Sequence, residues 1–352
     1  MVGLKKTLWL VVFCMVFVLF TGCGEKVNEQ GYYSKINVYN WGEYIDPQVL
    51  KDFEKEYGIE VNYETYAGNE EMLAKVQAGG TDYDVIFPSD YMVEAMIKEG
   101  LLQELDYNNL PNFKNIREEF KNLPYDKEHK YSVPYLWGTI GILYDTTKIK
   151  EDIDSWNALW DKKYKGNIVM FDSVRDNLGV ALKRLGYSMN TKNIDELEKA
   201  KEELIKQKPL VKAYDSDAYK DMMASGEAAI SMCFLGDAMV LMEENPNLKY
   251  VLPKEGTNLW FDTMAVPITS KHKKEAELFI NYLMRPEVAA KCAQFVMYAT
   301  PNKEAMKLLP KEIRENEIIY PKGNFFEKGE VFIDLGEFTT EYDRIWTQVK
   351  AY

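Results

Sequence analysis

Histidine is scarce in this 352-residue chain, and both copies stand in polar segments. They are His129, in Asp-Lys-Glu-His-Lys, and His272, in Ser-Lys-His-Lys-Lys. We expect both to be exposed. A histidine-based catalytic centre or a zinc site needs several side chains that converge on one point. The sequence therefore disfavours both kinds of site, and we expect no metal and no cofactor.

Phosphate-binding motifs are absent as well. The chain has no GxGxxG and no GxxxxGK[ST] segment, the patterns whose backbone N–H groups cradle phosphates. Its net charge is −13, and excess negative charge disfavours nucleic acid and favours cationic partners. There is no internal repeat and no low-complexity tract. Nucleotides and nucleic acids are thus unfavoured ligands.

Long apolar runs are missing except at the start. Lys5 and Lys6 precede the run Leu8–Phe20, which is followed by Thr-Gly-Cys23. Because this run is shorter than the ~20 residues of a membrane-spanning helix, it predicts a signal peptide rather than a permanent span. The Thr-Gly-Cys end resembles a bacterial lipobox, although Phe20 stands where leucine is usual. We expect Cys23 to be lipidated and the mature chain to be anchored to the outer face of the cell membrane, or to be periplasmic in a host with two membranes.

Only two cysteines remain after the leader and the anchor. Cys233 and Cys292 both lie among apolar residues, where free cysteine behaves as a small hydrophobic side chain. The sequence allows a disulfide between them without requiring one.

Hydrophobic periodicity predicts an α/β fold. Ile36 and Val38 alternate with polar residues as in a strand, and Asp46-Pro47 then supplies the N-cap and first-turn proline of a helix that Gly58 ends. A strand, a helix and a third strand at 84–87 follow. This β-α-β-α-β order predicts a layered fold with a largely parallel sheet.

A second α/β series, from Asn167 to Met232, indicates another lobe. About 330 mature residues exceed the size at which one core keeps growing. Segments Tyr131–Gly138 and Trp260–Pro267 are predicted to cross between the lobes as extended chain. The expected bounds are 1–22 for the signal peptide, 23–34 for the lipidated tether, 35–137 plus 264–303 for lobe one, and 138–263 plus 304–352 for lobe two.

Aromatic and acidic residues follow the predicted strands, where ligands of open α/β sheets bind. The aromatic segments are Asn40–Tyr44, Pro88–Tyr91 and Met297–Asn302, and the acidic residues are Asp172, Asp176, Asp237 and Asp262. Each ring alone fits core packing, and Asp172 or Ser173 is well placed as a helix N-cap. Asp262 is different, because it lies inside an apolar stretch, where a buried carboxylate needs a partner or a ligand.

Rings combined with carboxylates suit an aliphatic chain that carries ammonium groups. Aromatic faces stack on methylenes and attract the cation, for ~0.5–2 kcal/mol per contact. Carboxylates form charge-assisted hydrogen bonds with the ammonium groups. A phosphate or carboxylate ligand would instead call for arginine, lysine or a glycine-rich helix start.

Several segments resemble the bacterial spermidine/putrescine-binding proteins of polyamine ABC importers, over nearly the whole mature chain. The matching segments are Ile36–Tyr44, Tyr83–Tyr91, Tyr131–Gly138, Ser155–Trp160, Tyr164–Gly166, Leu185–Tyr187, Pro253–Gly256 and Tyr298–Asn302. The resemblance implies a two-lobed type II periplasmic-binding-protein fold, with hinge crossovers and a cleft that closes on its ligand. It also implies a protein that performs no chemistry and delivers putrescine or spermidine to an importer permease. Delivery to a permease is easiest to picture for a monomer, so we expect one.

The family's ligand contacts carry over to specific positions of this chain. They fall on Trp41, Tyr44, Ser89, Tyr91, Asp176, Trp260, Asp262 and Tyr298, and Phe234 and Asp237 complete the expected site. By this resemblance Trp41, Tyr91 and Trp260 would enclose the methylene chain. Asp262 would hold one ammonium group and Asp176 the other end, with Ser89 and the tyrosine hydroxyls accepting from N–H groups.

Three positions depart from the spermidine-type pattern. Ser173 stands where those proteins have an acidic residue, Phe234 where they have tryptophan, and Phe332 at a position of glutamine. Asp237 resembles the acidic residue that putrescine-specific members place in the same loop. These differences slightly favour putrescine.

Two other functions remain open at this point. The same fold could take a sugar, an amino acid or ferric iron, since sugars also stack on tryptophan and bond to aspartate. An exported hydrolase could use a pair such as Asp172 and Asp176, or Asp237 and Asp262, as acid and base. Turnover of a glycoside or amide would separate the hydrolase from a binding protein.

Overall fold

The computed structural model describes residues 27–79, 82–322 and 325–352. The predicted signal peptide, the anchor Cys23 and the start of the tether lie outside the described residues. Within those ranges, no helix is both long enough and apolar enough to cross a bilayer.

The described residues form nine strands and thirteen α-helices. The strands are β1 Lys35–Trp41, β2 Glu60–Tyr66, β3 Val85–Ile86, β4 Ser132–Asp145, β5 Ile168–Met170, β6 Val211–Tyr214, β7 Ile230–Phe234, β8 Leu248–Val251 and β9 Leu259–Ala265. The helices are α1 Pro47–Tyr57, α2 Asn69–Gln77, α3 Asp90–Lys98, α4 Val174–Arg184, α5 Ile194–Gln207, α6 Tyr219–Ala224, α7 Leu235–Glu244, α8 Lys273–Leu283, α9 Pro286–Val296, α10 Lys303–Leu308, α11 Lys311–Arg314, α12 Phe325–Lys328 and α13 Thr339–Ala351.

The sheet is parallel at its two ends and antiparallel in the middle. Its strand order is β2-β1-β3-β9-β4-β7-β5-β6, and β8 pairs with β4. β1 pairs in parallel with β2 and β3, and β5 does so with β6 and β7. The pairings of β4 and β9 are all antiparallel. The predicted largely parallel sheet is therefore correct for each half and wrong for the centre.

The two predicted crossovers are the long strands β4 and β9. All 14 residues of β4 are buried. β4 pairs with β9 along 132–139 and with β7 along 140–144, so one strand belongs to both halves of the molecule. The architecture is thus α/β with two lobes, and the segments that join them are hydrogen-bonded to each other.

Local sequence signals explain where several helices begin and end. The Asp46 side chain accepts the N–H of Gln48, and Gly58 ends α1 with φ 64°, a conformation that favours glycine. Ser173, rather than Asp172, caps α4 by accepting the N–H of Asp176. Asp172 is exposed and pairs with Lys350 at 3.0 Å. These caps fix the starts of α1 and α4.

The core has two parts. One cluster of buried side chains runs through both halves of the sheet. A smaller cluster joins α4, α5 and α13 through residues such as Leu182, Leu204 and Trp346. The C-terminal helix therefore completes the outer layer of lobe two.

The histidines and cysteines differ in part from expectation. His129 is buried, so the prediction of exposure is wrong for it: its Nε2 accepts the N–H of Asn122 at 2.8 Å, and burial lowers its pKa. His272 is partly buried beside Asp84, at 3.4 Å. Cys233 and Cys292 are both buried and free. Among the described residues, no cluster of histidine, cysteine and carboxylates could hold a metal ion.

Candidate ligand-binding site

Asp262 stands at the centre of the candidate site. Its buried carboxylate accepts the Tyr44 hydroxyl at 2.5 Å and the Ser89 hydroxyl at 2.6 Å. Ser89 and Asp262 also form a backbone bridge between the start of α3 and β9. The adjacent N–H of Thr263 donates to the Pro88 carbonyl at 2.9 Å. Three chain segments thus meet on one carboxylate.

The electrostatics of Asp262 are unusual for a buried acid. Burial raises its pKa from 3.8 to about 6, while the hydroxyls of Ser89 and Tyr44 oppose the rise. Its hydrogen-bond donors are neutral, and among the described residues no lysine or arginine forms an ion pair with it. A buried carboxylate without a cation is costly, so this group is suited to receive one.

A polar network beside Asp262 positions Ser89 and Tyr91. The Asn69 amide donates to the Ser89 hydroxyl at 3.0 Å and to the Tyr91 hydroxyl at 3.1 Å. The Asn69 side-chain oxygen accepts the N–H of Ser89 at 3.1 Å. The Tyr91 hydroxyl donates to Glu70 at 3.2 Å. Sequence reasoning did not place Asn69 in the site.

Trp41 lies at the carboxyl end of β1, as expected. Its indole N–H donates to the Phe87 carbonyl at 2.9 Å, and its ring centroid lies 4.6 Å from that of Tyr66. The Tyr66 hydroxyl donates to the same carbonyl at 2.5 Å. The indole is therefore fixed between β1 and the end of β3, with its side chain half-buried.

The rings of Trp260 and Tyr298 form an aromatic corner. Two glycines leave the space that these rings occupy. Their rings lie 4.7 Å apart at 77°, and the Tyr44 ring lies 5.9 Å from Tyr298. A Cβ on Gly138 would come within 2.3 Å of Trp260, and one on Gly236 within 2.2 Å of Tyr298. The two rings therefore pack directly against these glycines. Tyr298 joins the Asp262 group to the first turn of α7.

Asp237 and Phe234 line the same region from lobe two. Asp237, in the first turn of α7, accepts a hydrogen bond from the Tyr219 hydroxyl. Its charge adds to burial in raising the pKa of Tyr298, and the neighbouring Gly236 lies against the Tyr298 ring. Phe234 is partly buried and stacks on Phe171 at 4.6 Å.

Asp176 stands apart from the other predicted residues. Burial raises the pKa of its carboxyl, and the Ser173 side chain and the Arg175 charge oppose that rise. In the described part of the chain, its contacts lie at the start of its own helix, α4, and none joins it to the Asp262 group. A cationic neighbour also makes it less ready for a cationic ligand than Asp262.

Asp90 is an acid of the site that sequence reasoning missed. Its buried carboxylate accepts the N–H of Tyr91 at 2.7 Å and the N–H of Phe261 at 3.1 Å. Burial raises its pKa to about 8, with a further contribution from the charge of Asp262. Asp90 therefore ties α3 to the residue before Asp262. The only sequence signal was its place inside Pro88–Tyr91.

The chain resembles known proteins along most of its sequence. A family model described as "Bacterial extracellular solute-binding protein" matches residues 48–320. The chain belongs to this family. This solute-binding protein is 40% identical over 315 residues to the spermidine/putrescine-binding periplasmic protein of Salmonella typhimurium, covering 89% of this chain and 90% of that protein. It is 35% identical over 336 residues to a putrescine-binding periplasmic protein of Pseudomonas aeruginosa, covering 90% and 92%.

A solved structure gives the same relationship. The substrate-binding protein of a spermidine/putrescine ABC transporter from Streptococcus pneumoniae superposes with a TM-score of 0.86 at 42% identity, covering 91% of this chain and 99% of that one. The resemblance that the sequence motifs indicated is confirmed. Such relatives are transport proteins rather than enzymes, so this solute-binding protein is not a hydrolase.

Proposed function

We propose that this solute-binding protein captures a polyamine, putrescine or spermidine, outside the cytoplasm and delivers it to an ABC importer permease. The observation that carries the proposal is the Asp262 carboxylate, which is buried and receives two hydroxyl groups but no cation. An ammonium group placed there would supply the missing charge and donate hydrogen bonds to the remaining lone pairs of the carboxylate. The names of the relatives reported above agree with such a ligand.

The rings around Asp262 suit the rest of such a ligand. In the proposal, Trp41, Tyr91 and Trp260 enclose the methylene chain, and Tyr44 and Tyr298 close the end around the first ammonium group. Each aromatic face adds ~0.5–2 kcal/mol toward a cation, more when water is excluded. Ser89 supplies a hydroxyl that can accept as well as donate.

The second ammonium group is assigned to lobe two. Asp237 supports this role because it follows Gly236, which lies against the Tyr298 ring, and because its charge contributes to the raised pKa of Tyr298. Asp176 is retained as a second acid, although its carboxyl is partly balanced by Arg175. Ser173 uses its hydroxyl as a helix cap and adds no carboxylate. Two or three acids suit a diamine better than a longer amine, so the slight preference for putrescine stands.

The lobe boundaries and the anchor also belong to the proposal. Lobe one comprises 35–137 plus 264–303, and lobe two 138–263 plus 304–352. The packing of α10 against α9, together with the Tyr320 hydroxyl that accepts the Thr300 N–H at 3.1 Å, favours extending lobe one to about Lys322. Lipidation at Cys23 would hold the protein, as a monomer, on the outer face of the membrane.

A change in thermal unfolding tests the choice of ligand. A ligand that binds only the folded state stabilises it by about 2.7 kcal/mol at a concentration of 100 Kd. Putrescine or spermidine should raise Tm of the wild type, and glucose, amino acids and ferric citrate should not. Asp262→Asn should lose most of the shift and the matched surface variant Asp172→Asn should keep it. A shift with a sugar and none with any amine would reassign the cargo on the same fold.

A further inference from the structure

The long strand β4 has a register shift directly opposite Asp262. In its antiparallel pairing with β9, Pro134 stands opposite Thr263 and Leu136 stands opposite Asp262. Tyr135, between them, has no paired residue in β9, all of which the structure describes. This arrangement is a β-bulge, in which two residues of one strand oppose one residue of the other, and bulges often re-aim a side chain next to a site. The bulged residue here is Tyr135.

Tyr135 supports the backbone of Tyr44. Its hydroxyl donates to the Tyr44 carbonyl at 2.9 Å, and the two ring centroids lie 5.9 Å apart. Among the residues that the structure describes, no other hydrogen bond to this carbonyl is present. Tyr44 lies in the turn between β1 and α1 and follows Glu43, whose φ of 51° is uncommon for a residue with a side chain. Because no strand or helix bond holds Tyr44, the Tyr135 hydroxyl fixes its position.

Tyr44 in turn contacts the central carboxylate of the site. Its hydroxyl donates to Asp262 at 2.5 Å, and both side chains are buried. A hydrogen bond weakens steeply as its angle and distance depart from the optimum. A small displacement of the Tyr44 backbone would therefore weaken the bond that its hydroxyl makes with Asp262.

The ring of Tyr135 has a contact that is independent of its hydroxyl. It packs edge-on against Phe87, with centroids 5.0 Å apart at 78°. The Phe87 carbonyl accepts the indole N–H of Trp41 at 2.9 Å. The ring and the hydroxyl thus support different parts of the site. Phenylalanine at position 135 would keep the ring packing and remove the hydroxyl alone.

We infer that Tyr135 is a positioning residue for amine binding, because the bulge of β4 places its hydroxyl on the Tyr44 carbonyl and so keeps the Tyr44 hydroxyl aimed at Asp262. Tyr135 acts through Tyr44 and makes no contact with the ligand. The inference rests on the proposed function, in which Asp262 receives an ammonium group. A hydroxyl that donates to the carboxylate favours its charged form, and the Tyr44 hydroxyl lowers the pKa of Asp262 in this way. Loss of the correct geometry should therefore raise that pKa.

The titration of Asp262 takes place among a small set of buried groups. Its charge contributes to the raised pKa of Tyr44, Tyr66, Asp90, Tyr125, Tyr135 and Tyr298. Burial raises the pKa of each of these tyrosines above its ordinary value, so they stay neutral while Asp262 titrates. Asp90 is the remaining carboxyl of the set, and the substitutions below leave it in place.

Two tyrosine-to-phenylalanine variants and their combination test the inference. Tyr135→Phe should weaken binding of putrescine or spermidine, whichever the wild type binds more tightly, roughly three- to tenfold, as loss of one hydrogen bond would. In the ligand-free protein it should raise the pKa of Asp262. NMR titration of ¹³C-labelled aspartate carboxyl groups measures this pKa, with the signal assigned through Asp262→Asn.

The combination separates positioning from a general loss of stability. In the Tyr44→Phe background, Tyr135→Phe should change neither the affinity nor the pKa further, because the hydroxyl that it positions is already gone. Equal effects of Tyr135→Phe in both backgrounds would overturn the inference. An unchanged pKa of Asp262 in the single variant would also overturn it.

The matched control is Tyr342→Phe in lobe two. It removes a buried hydroxyl that donates to the Thr191 carbonyl, also at 2.9 Å. It should lower Tm as Tyr135→Phe does and leave the amine affinity and the pKa of Asp262 unchanged; equal effects of the two variants on affinity and pKa would contradict positioning. If the wild type bound no amine while Tyr135→Phe still raised the pKa of Asp262, the proposed function would fail and the positioning of Tyr44 would stand.

Discussion

At the scale of single residues, Asp262 decides the chemistry of the site. Its carboxylate accepts two protein hydroxyls, and within the described residues no lysine or arginine forms an ion pair with it. Asparagine at this position keeps one carbonyl oxygen that can accept a hydrogen bond. Its NH₂ group can donate a hydrogen bond to a hydroxyl oxygen. The local fold should therefore tolerate the change.

We predict that Asp262→Asn weakens amine binding at least about tenfold, or roughly 1.4 kcal/mol. The loss follows from removing the charge that faces the ammonium group. Calorimetric titration measures it, with Asp172→Asn as the surface control. Unchanged affinity would remove Asp262 from the site.

The pH dependence of stability provides a second prediction. The folded-state pKa of Asp262 is about 6 and its ordinary value is 3.8, so the folded state holds the proton more tightly. Asp262 should therefore contribute a fall of roughly 3 kcal/mol at most to the free energy of unfolding as pH rises from about 4 to about 6, in addition to the fall from Asp90, whose pKa is also raised. Urea unfolding across this range measures the fall, and Asp262→Asn should make it less steep. If the free energy of unfolding of the variant changed with pH as steeply as that of the wild type, the raised pKa of Asp262 would be contradicted.

Amine binding should show the opposite trend with pH. A bound ammonium group favours the charged carboxylate, so affinity should rise between about pH 5 and pH 7 and protons should leave on binding. Calorimetry in buffers of different ionisation enthalpy detects the released protons. A pH-independent affinity, with no proton release, would count against a cation at Asp262.

Sequence reasoning predicted the burial of Asp262 and missed the contacts of Asp90, because only the first has a local signal. Asp262 is a charged residue inside the apolar stretch Leu-Trp-Phe-Asp-Thr-Met-Ala. This pattern predicts that its carboxylate is buried and needs a partner. The acceptor role of Asp90 depends on the N–H of Phe261, 171 residues away along the chain. Non-local hydrogen bonds of this kind leave no local signal.

At the scale of elements, glycines allow the aromatic corner to form. Gly236 lies in α7, where alanine is favoured over glycine by up to ~1 kcal/mol. Its missing side chain is the space that the Tyr298 ring occupies. Gly236 thus lowers the helix propensity at this position and allows the Tyr298 ring to pack there.

We predict that Gly236→Ala displaces Tyr298 and weakens amine binding, with the size of the loss read by calorimetry. The Tyr298→Ala variant supplies the control. In that background the clash is absent, so adding Gly236→Ala should be neutral or stabilise the helix. Additive effects of the two substitutions on binding would contradict direct contact between residue 236 and the ring.

Local patterns predicted the helices better than the sheet. The N-cap and C-cap signals of α1 are short-range, and the structure shows both. The antiparallel centre was not predicted, because pairing of β4 with β9 joins residues more than a hundred positions apart. The sequence predicted that both segments are extended. A local pattern cannot specify which distant strand each segment pairs with.

At the scale of the whole molecule, a polar contact links α3 of lobe one to the C-terminal segment. The Lys98 ammonium lies 2.7 Å from Asp334 and 3.0 Å from Glu94, and the N–H of Asp334 donates to Glu94 at 2.7 Å. The C-terminal segment continues into α13, which packs on α4 and α5. This contact therefore spans the two lobes.

We predict that Lys98→Ala raises the amine dissociation constant by up to about fivefold, because a half-exposed ion pair contributes up to ~1 kcal/mol. Added salt should weaken wild-type binding toward the variant. The control, Lys121→Ala, removes an ion pair to Glu118 within one segment and should leave affinity unchanged. If both variants changed the amine dissociation constant equally, the contact of Lys98 with Asp334 would not favour closure of the two lobes.

The most direct test of the account is calorimetric titration of the chain from Gly24 onward with putrescine, cadaverine, spermidine and spermine at two salt concentrations. The account predicts micromolar or tighter binding, with one site, to putrescine or spermidine, and its loss in Asp262→Asn. No heat and no thermal stabilisation with any of the four amines would contradict it.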